Sequence, residues 1–525
     1  MRAPRSSSPS PPRRGIVLLG VLVVIVILAL IAYQYSDRML AEYQAASNAH
    51  RTAQARHFAD SGVHYVAMLV ASPDSIANNL SGNPFDNPTM FKDIQIPDAE
   101  NLGAGGRFTL VAPLDPDQST TGGAFRAGVT DEAGKININA FMKRDPTGQQ
   151  LYDMLSKLPN MTEELAASIV DWVDSDTSPR EGGAEDDYYS GQSSGYRCKN
   201  GPLDSLDELL LVKGMTRELL YGSDLNRNGL IDAGEGDASD RGLAAFLTVT
   251  SREANRDPTG QPFANVNGDD LTVLVDTLGP QTDEGLVKFI ILYRQYGPLS
   301  STGAPQSLGS SIASLFSSGK KTTTTATQTI AGDLGSFQPD MNRKATQKLT
   351  SFFDLVGAQV SVPNADRRKP ATVYTSPIAD TASLSELLPT LFLTASLNDD
   401  AEIPARININ TASREVLTAV GLFSDADVQT ILSTRPKWST SEPPGPEFQT
   451  PVWLASQLKL PTATLRNLEK IVTTKSQVFH MQVVGRFESG NGPISRVEAI
   501  VDANFGRPRI VFYRDWTELG RTTLP

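Results

Sequence analysis

The sequence is poor in the residues on which many catalytic and redox sites depend. It contains one cysteine, Cys198, and four histidines among 525 residues. A single cysteine excludes an intrachain disulfide and any zinc or iron–sulfur site built from several thiolates. The chain also lacks the H-E-x-x-H and phosphate-loop motifs of metal hydrolases and nucleotide-binding enzymes. We therefore expect a protein that is not an enzyme.

Positive charge is also scarce, because 47 lysines and arginines face 59 aspartates and glutamates. The resulting net charge of -12 argues against a nucleic-acid surface, since phosphate binding requires clustered cations. Cations are the expected partners. A hydrophobic content of 39% still predicts folded domains with buried cores.

The N-terminal region contains the longest apolar run, at residues 16–33, without a charged side chain. As a helix this run rises about 27 Å, close to the roughly 30 Å hydrocarbon core of a bilayer. The preceding charges are all positive, so the N-terminus is expected in the cytoplasm and the bulk of the chain in the periplasm. These preceding charges are Arg2, Arg5, Arg13 and Arg14.

The apolar run continues without a proline into a polar segment that predicts one helix of roughly 45 to 55 residues. A secretory signal would instead end at a small-residue cleavage site. An uncut single-pass anchor and a processed subunit helix both remain open. The expected buried stripe of the second half comprises Met39, Ala46, Ala53, His57, Val63 and Val66.

Three Asn-x-Asn motifs form a weak internal repeat, each between a strand-like and a helix-like run. Asparagine suits these places because its side chain can cap the free N–H groups of a helix. Segments that follow resemble helix-hairpin-helix units, whose acidic surroundings favour structural packing over DNA binding. The motifs are Asn137 and Asn139, Asn265 and Asn267, and Asn408 and Asn410.

Alternating apolar and polar residues after residue 476 predict an antiparallel meander, and residues 107–131 are expected to add strands to the same sheet. The helical middle of the chain would then be inserted into that sheet. A Ser/Thr-rich stretch around residues 300–335 is typical of a linker.

The stretch DLNRNGLIDAGE fits a calcium-binding loop, with oxygen-bearing side chains at alternate positions and a glycine at the turn. A metal-free Asn-Gly turn is the alternative. The expected ligands are Asp224, Asn226, Asn228, the carbonyl of Leu230, Asp232 and Glu235.

A second acidic stretch, DWVDSDTSPREGGAEDDYYSG, concentrates carboxylates that would repel each other unless water or a cation neutralised them. An acidic, solvated loop is the alternative to a metal site. This stretch resembles a segment of protein K of the type II secretion system, and the resemblance implies calcium ligands at Asp174, Asp176, Glu185 and Asp186.

Other motifs resemble the same family in the same order: DEAGKININ, PLDSLDELLLVKGM, SFFDLVGAQVSV and RININTASREVL. The basic leader followed by Gly15 resembles a type IV pilin signal, which implies cleavage by prepilin peptidase before Ile16. Most pilins carry glutamate at the fifth mature position, where this chain has Gly20. Protein K also lacks that glutamate.

The resemblance implies an α+β fold: a long pilin-like helix packed on an antiparallel sheet, with a large inserted α-helical domain. It implies a minor pseudopilin at the tip of the secretion pseudopilus that initiates and caps assembly without catalysis. The implied partners are the I- and J-type minor pseudopilins, the major pseudopilin, the inner-membrane assembly platform and prepilin peptidase. A membrane-anchored DNA receptor of a competence-type system is the alternative function.

The expected domains follow from these segments. They are a leader at 1–15, the pilin helix at 16–72, the first part of the α+β domain at 73–135, the inserted helical domain with calcium loops at 136–299, the linker at 300–345, the remainder of the inserted domain at 346–404, the helix-hairpin-helix segment at 405–475 and the β-meander at 476–525.

Overall fold

A computed structural model gives the architecture of the chain. For Arg14, Gly15, Ile16 and Leu519 it describes the backbone alone. The residues it describes are 14–96, 105–115, 117–118, 125–193, 195–224, 226–227, 235–236, 240–257, 260–299, 330–364, 366, 369–438, 443–490 and 492–519.

Helices account for most of the regular structure in these ranges. One is far longer than the others, spanning 56 residues at the N-terminus. The helices are α1 (Arg14–Leu69), α2 (Pro73–Leu80), α3 (Pro88–Phe91), α4 (Ile138–Arg144), α5 (Gln149–Leu155), α6 (Glu163–Val173), α7 (Asp186–Ser190), α8 (Arg217–Tyr221), α9 (Leu271–Leu278), α10 (Glu284–Tyr296), α11 (Thr381–Thr394), α12 (Arg414–Val420), α13 (Asp425–Thr434), α14 (Val452–Leu458) and α15 (Thr462–Ile471).

The strands are short except for three near the C-terminus. They are β1 (Ile94–Ile96), β2 (Gly106–Val111), β3 (Thr130–Asp131), β4 (Ile136–Asn137), β5 (Leu247–Thr248), β6 (Glu253–Ala254), β7 (Ala264–Asn265), β8 (Ile330–Ala331), β9 (Gln359–Val362), β10 (Thr372–Thr375), β11 (Ala395–Ser396), β12 (Glu402–Ile403), β13 (Ile407–Asn408), β14 (Val472–Thr473), β15 (Val478–Phe487), β16 (Ser495–Asp502) and β17 (Arg509–Asp515).

The main sheet is antiparallel and has the order β1-β2-β15-β16-β17, with β3 also paired to β15. Side chains along the central strand β15 point alternately to the two faces of the sheet. Every second one, Phe479, Met481 and Val483, lies in the same core on the covered face. Because β3 and β15 are neighbours in space, residues 136–473 form an insertion between them. The predicted α+β fold with a helical insertion is confirmed.

The C-terminal half of α1 covers this sheet at very short range. A Cβ added to Gly485 of β15 would lie 2.4 Å from the carbonyl oxygen of Ala55 and from the amide of Ala59. A Cβ on Gly62 of α1 would lie 2.6 Å from Val483. Two glycines therefore allow the backbones of helix and strand to approach closely.

The buried face of α1 differs from the expected stripe. Ala55, Ala59, Val63 and Val66 are buried, whereas Ala53 and His57 are exposed. The predicted stripe was right for Val63 and Val66 and wrong for the turns before them. Those turns are rich in alanine, which is too weakly hydrophobic to mark one face of a helix. The close approach at Gly485 selects the face instead.

The three Asn-x-Asn motifs occupy equivalent places. Their strands form three separate two-residue parallel ladders, β4 with β5, β7 with β11 and β13 with β14. The second asparagine of each motif then holds a distant backbone segment: Asn139 contacts Leu203, Asn267 contacts Leu349, and Asn410 donates to the carbonyl of Phe448. The predicted repeat therefore recurs as a structural unit.

Most other buried apolar residues belong to a second, larger core within the insertion, formed mainly by α4 to α6, α9 to α15 and the segments between them. The helix pair α12 and α13 lies in the region predicted to resemble a helix-hairpin-helix segment. The domain boundaries drawn from the sequence stay predictions, and residues 300–329 of the predicted linker lie outside the described residues.

Candidate metal centre

The candidate metal centre begins where α6 ends. Thr162 caps the start of α6, accepting a hydrogen bond from the amide of Leu165 at 3.2 Å. The apolar side chains that follow are buried in the larger core, and Asp174 forms the C-cap. The chain then turns through residues 175–185 before α7 begins.

Asp171, fully buried in the last turn of α6, fixes this turn. Its carboxylate accepts hydrogen bonds from the amides of Arg180 at 3.2 Å and Ala184 at 2.8 Å. A Cβ on Gly183 would lie 1.9 Å from the same carboxylate, so glycine is required there. Lys213 adds hydrogen bonds of 3.0 Å to the carbonyls of Gly182 and Gly183. The loop is thus held in one conformation by protein groups.

This turn gathers three of the four carboxylates proposed as ligands. Oxygen atoms of Asp174, Asp176 and Glu185 lie within 4.8 Å of one another, and we call these three residues the acidic centre. Asp174 and Glu185 are each 5% exposed, whereas Asp176 is exposed. Among the described residues, Oδ1 of Asp174 and both carboxylate oxygens of Glu185 are buried without a hydrogen-bond donor.

The electrostatics of the acidic centre match its geometry. Burial, followed by repulsion from Asp176, Asp171 and Glu185, raises the pKa of Asp174 to about 7. Burial also raises the pKa of Glu185; the neighbouring polar groups of Cys198 and Asn200 oppose the change, and repulsion from Asp171 and Asp176 adds to it. No ion pair between described residues involves the acidic centre, and the nearby Arg180 lies against Asp171.

The donor set therefore fits a hard divalent cation. Carboxylate oxygens are the ligands that Ca²⁺ prefers, and buried carboxylates without donors are costly unless a cation reaches them. Asn200, which sequence reasoning missed, joins the same turn. Its amide group donates to the carbonyl of Asp176 at 2.8 Å, and its Oδ1 is buried without a donor among the described residues.

The fourth proposed ligand, Asp186, makes a different contact. Its Oδ1 accepts a hydrogen bond of 2.7 Å from the amide of Cys198, and it is not part of the group of three. This bond fixes the segment that leads to Asn200. Only the fold reveals Asn200, because it lies many residues after the acidic stretch.

The second predicted calcium loop is described only at its ends. Glu235 Oε1 accepts a hydrogen bond from the amide of Asn226 at 3.2 Å, which brings loop positions 3 and 12 together. Asp224 is described as well, whereas the other three proposed ligands, Asn228, Leu230 and Asp232, lie outside the described residues. The start of the loop is fixed to the main sheet, because the carbonyl of Asn226 accepts a 2.8 Å bond from Arg496 of β16.

The proposed processing site, Gly15 and Ile16, lies at the start of α1, where the backbone is helical. From Val17 the helix is long and apolar enough to cross a membrane, and its most apolar 18-residue window has a mean hydropathy of 2.9 with no residue buried. The same helix has a buried face from Ala55 onward. A single-pass anchored component fits this division.

Comparisons with known proteins bear on the region that contains the acidic centre. A family model described as "Type II secretion system (T2SS), protein K" matches residues 134–221. Type II secretion system protein K of Klebsiella pneumoniae is 29% identical over 219 residues, covering 39% of this chain and 60% of the relative. The protein of the same name from Pseudomonas aeruginosa is 23% identical over 209 residues, covering 38% and 57%.

A solved structure titled as the GspK-GspI-GspJ complex of the enterotoxigenic Escherichia coli type 2 secretion system also matches. It covers 91% of this chain and 99% of its own, at 13% identity and a TM-score of 0.37. The chain spans about 60% of the length of the curated relatives it matches. The matched family and relatives are named as parts of a secretion system rather than as enzymes. The predicted resemblance is confirmed: residues 134–221 of this chain match the protein K family of the type II secretion system.

Proposed function

We propose that this chain acts as a minor pseudopilin of a type II secretion apparatus, at the tip of the pseudopilus, where it initiates and caps assembly. The match of residues 134–221 to protein K, together with the long helix, supports this role over that of a DNA receptor. The proposed partners are the I- and J-type minor pseudopilins, the major pseudopilin and the inner-membrane assembly platform.

The observation that carries the proposal is the division of α1. Its N-terminal half exposes an unbroken apolar surface, with Leu18 at 73% and Tyr33 at 74% exposure, while its C-terminal half is buried on the sheet. A subunit that leaves a membrane and joins a helical bundle needs one free apolar helix fixed to a folded head. The proposed location is the inner membrane, with the head in the periplasm.

The insertion gives a physical reason for a place at the tip. Residues 136–473 leave the sheet after β3 and return at β15, so their bulk is attached to the sheet on which α1 packs. A subunit stacked above would have to avoid this bulk, whereas a terminal subunit meets no such neighbour. Gly20 is then tolerable, because a terminal subunit has no further subunit to engage through a glutamate there.

We further propose that the acidic centre binds Ca²⁺ through Asp174, Asp176 and Glu185, with Asp186 holding the adjoining segment. The cation would neutralise the buried carboxylates of Asp174 and Glu185, three of whose oxygens lack a donor among the described residues. The loop at residues 224–235 would hold a second ion through the six ligands proposed from the sequence. Both ions would brace a head that has no disulfide.

Mass spectrometry of the mature N-terminus tests the processing step. We expect a chain that begins at Ile16 and carries an N-terminal methyl group when the full gene is expressed with prepilin peptidase. A Gly15→Leu variant should remain uncut, and a Ser10→Ala variant in the leader serves as the matched control. A wild-type chain retaining residue 1, or cut after the apolar run, would overturn the assignment.

A secretion assay tests the role itself. In a strain lacking its own protein K, the wild-type gene should restore export of a type II substrate to the medium, and the Gly15→Leu variant should not. Cross-linking from the head should capture the I- and J-type subunits. Normal processing without restored export or cross-links would reject the tip role while leaving the membrane helix intact.

A further inference from the structure

A cleft of about 240 Å³ is lined by residues of the insertion and by Lys475, which follows it, and no residue of the acidic centre lines the cleft. Four cationic side chains line it, and we call it the basic cleft: Arg144, Arg406, Lys470 and Lys475. Phe263 and Phe392 form part of its apolar wall. A dry cavity of about 150 Å³ is enough to hold benzene, so the basic cleft has room for a ring and a small polar group.

One of the four cations is already neutralised. Arg406 donates from Nε to a carboxylate oxygen of Glu253 at 2.9 Å and makes a second, shorter contact to the other oxygen. Its Nη1 donates to the carbonyl of Glu469 at 2.9 Å. Arg406 therefore belongs to the framework of the cleft and is not available to a ligand.

Arg144 retains an unused donor. Its Nη2 bonds to the carbonyls of Pro404 at 2.9 Å and Ala405 at 3.2 Å, which fixes the guanidinium. Its Nη1 is buried and has no acceptor among the described residues. Burial, with repulsion from Arg406, lowers the pKa of Arg144 to about 10. A fixed, buried and unused N–H of this kind is costly unless an acceptor arrives.

Lys475 is the second cation available to a ligand. Its Nζ lies 4.3 Å from the centre of the Phe263 ring, and no hydrogen bond or ion pair of this ammonium occurs within the described part of the chain. Burial lowers the pKa of Lys475 to about 8, with Arg406 adding to the effect and Glu253 and Asp257 opposing it. An anion in the cleft would relieve the cost of this half-buried charge.

The acid that lines the cleft does not neutralise these cations. Glu469 uses its carboxylate inward, accepting from the hydroxyl of Ser351 and from the amide of Phe352 at 3.0 Å. Burial raises the pKa of Glu469 to about 7, which weakens its negative charge at neutral pH. The basic cleft therefore combines an apolar wall with positive charge that its own acid leaves unbalanced.

We propose that the basic cleft binds a small organic carboxylate with an apolar body, its carboxylate facing Arg144 and Lys475 and its body against the phenylalanines. A carboxylate suits the site because it accepts from both N–H donors, and an apolar body suits the wall because it displaces water from aromatic surface. The inference is independent of the secretion role.

Isothermal titration calorimetry on the full chain in detergent, with benzoate as the probe, tests this inference. We expect saturable binding of benzoate and roughly tenfold weaker binding of benzyl alcohol, which has the ring without the charge. The Lys475→Met variant should weaken benzoate binding by a similar factor. Since no described residue forms a hydrogen bond with Nζ of this lysine, the variant should fold.

Two further variants make the test sharp. Lys475→Arg keeps the charge and should retain benzoate binding, and Lys143→Met, an exposed change on the same helix as Arg144, should bind like the wild type. No binding at about 10 mM benzoate, or equal binding by Lys475→Met and Lys143→Met, would overturn the proposal. Inorganic phosphate binding as tightly as benzoate would reject the carboxylate class.

Discussion

Glu498 in the main sheet and Asp174 in the insertion are both largely withdrawn from water, yet the protein treats them in opposite ways. Glu498 accepts hydrogen bonds from His480 at 2.7 Å and Trp516 at 2.6 Å. Although burial opposes the change, these bonds and the charge of Arg227 lower its pKa to about 2. The pKa of Asp174 is instead raised to about 7.

The difference shows which buried carboxylate receives its hydrogen-bond donors from the protein itself. The sheet surrounds Glu498 with donors, so its charge is part of the folded structure. The insertion brings Asp174, Asp176 and Glu185 together, and the described residues give no donor to Oδ1 of Asp174 or to either carboxylate oxygen of Glu185. A loop that brings two buried carboxylates together, with three of their oxygens lacking a donor among the described residues, is suited to a cation from outside the chain.

Of the changes considered, the removal of divalent ions should have the largest effect on stability. We expect a chelator to lower the unfolding free energy by about 3 kcal/mol for each of the two proposed sites, relative to calcium at 100 times the Kd of that site, because the ions bind only the folded state. Differential scanning calorimetry in calcium and in EDTA measures the change. Glu498→Gln should respond to calcium as the wild type does.

Glu185→Gln provides the matched control for the chelation experiment. This variant loses a ligand of the acidic centre and leaves the loop at residues 224–235 intact. The calcium response should therefore shrink but not vanish. An equal response in wild type and Glu185→Gln would show that the ion does not bind at the acidic centre.

Glu498→Gln should lower stability at pH 7 by about 2 kcal/mol, because it replaces a charged acceptor by a neutral one beside His480 and Trp516. The pKa of Glu498 is lower in the fold than its ordinary 4.5, so its contribution is present above that pH. It is lost as the pH falls from about 4.5 to about 2. Urea unfolding across this window should show a slope for wild type that the variant lacks.

In the absence of calcium, Asp174→Asn should raise the stability of the fold, whereas Glu498→Gln lowers it. Removing a buried, repelled charge should stabilise the metal-free chain by about 1 kcal/mol and remove the part of the calcium response that the acidic centre supplies. Urea unfolding in EDTA and in calcium tests both parts. A loss of stability in EDTA would mean that Asp174 is satisfied by the protein, as Glu498 is.

The sequence predicted the parts of the fold that local patterns determine. The alternating runs near the C-terminus became β15, β16 and β17, and the apolar run became the first half of α1. Such patterns suffice because one covered face of a strand or an unbroken apolar helix leaves a periodic signal. The acidic stretch was likewise visible because its carboxylates are close in sequence.

Contacts between distant segments could not be read in this way. Asn200 has a left-handed backbone conformation, with φ of 46°, and its side chain contacts Asp176 of the acidic centre. No local sequence pattern indicates that these two residues are neighbours. The two-residue ladders of the repeat are too short to show alternation. The basic cleft joins side chains from several segments, each of which is ordinary by itself.

Asp176→Asn should have the smallest effect on the metal-free chain, within about 0.5 kcal/mol, because Asp176 is exposed and water screens its charge. Its effect on calcium should be larger, about tenfold in affinity, since the ion loses one of the three charges that hold it. Calcium titration followed by calorimetry separates the two effects. Asp187→Asn, an exposed change on α7 outside the acidic centre, is the matched control. If both variants bind calcium equally, the exposed carboxylate is no ligand, and the buried pair of Asp174 and Glu185 would have to hold the ion with Asn200.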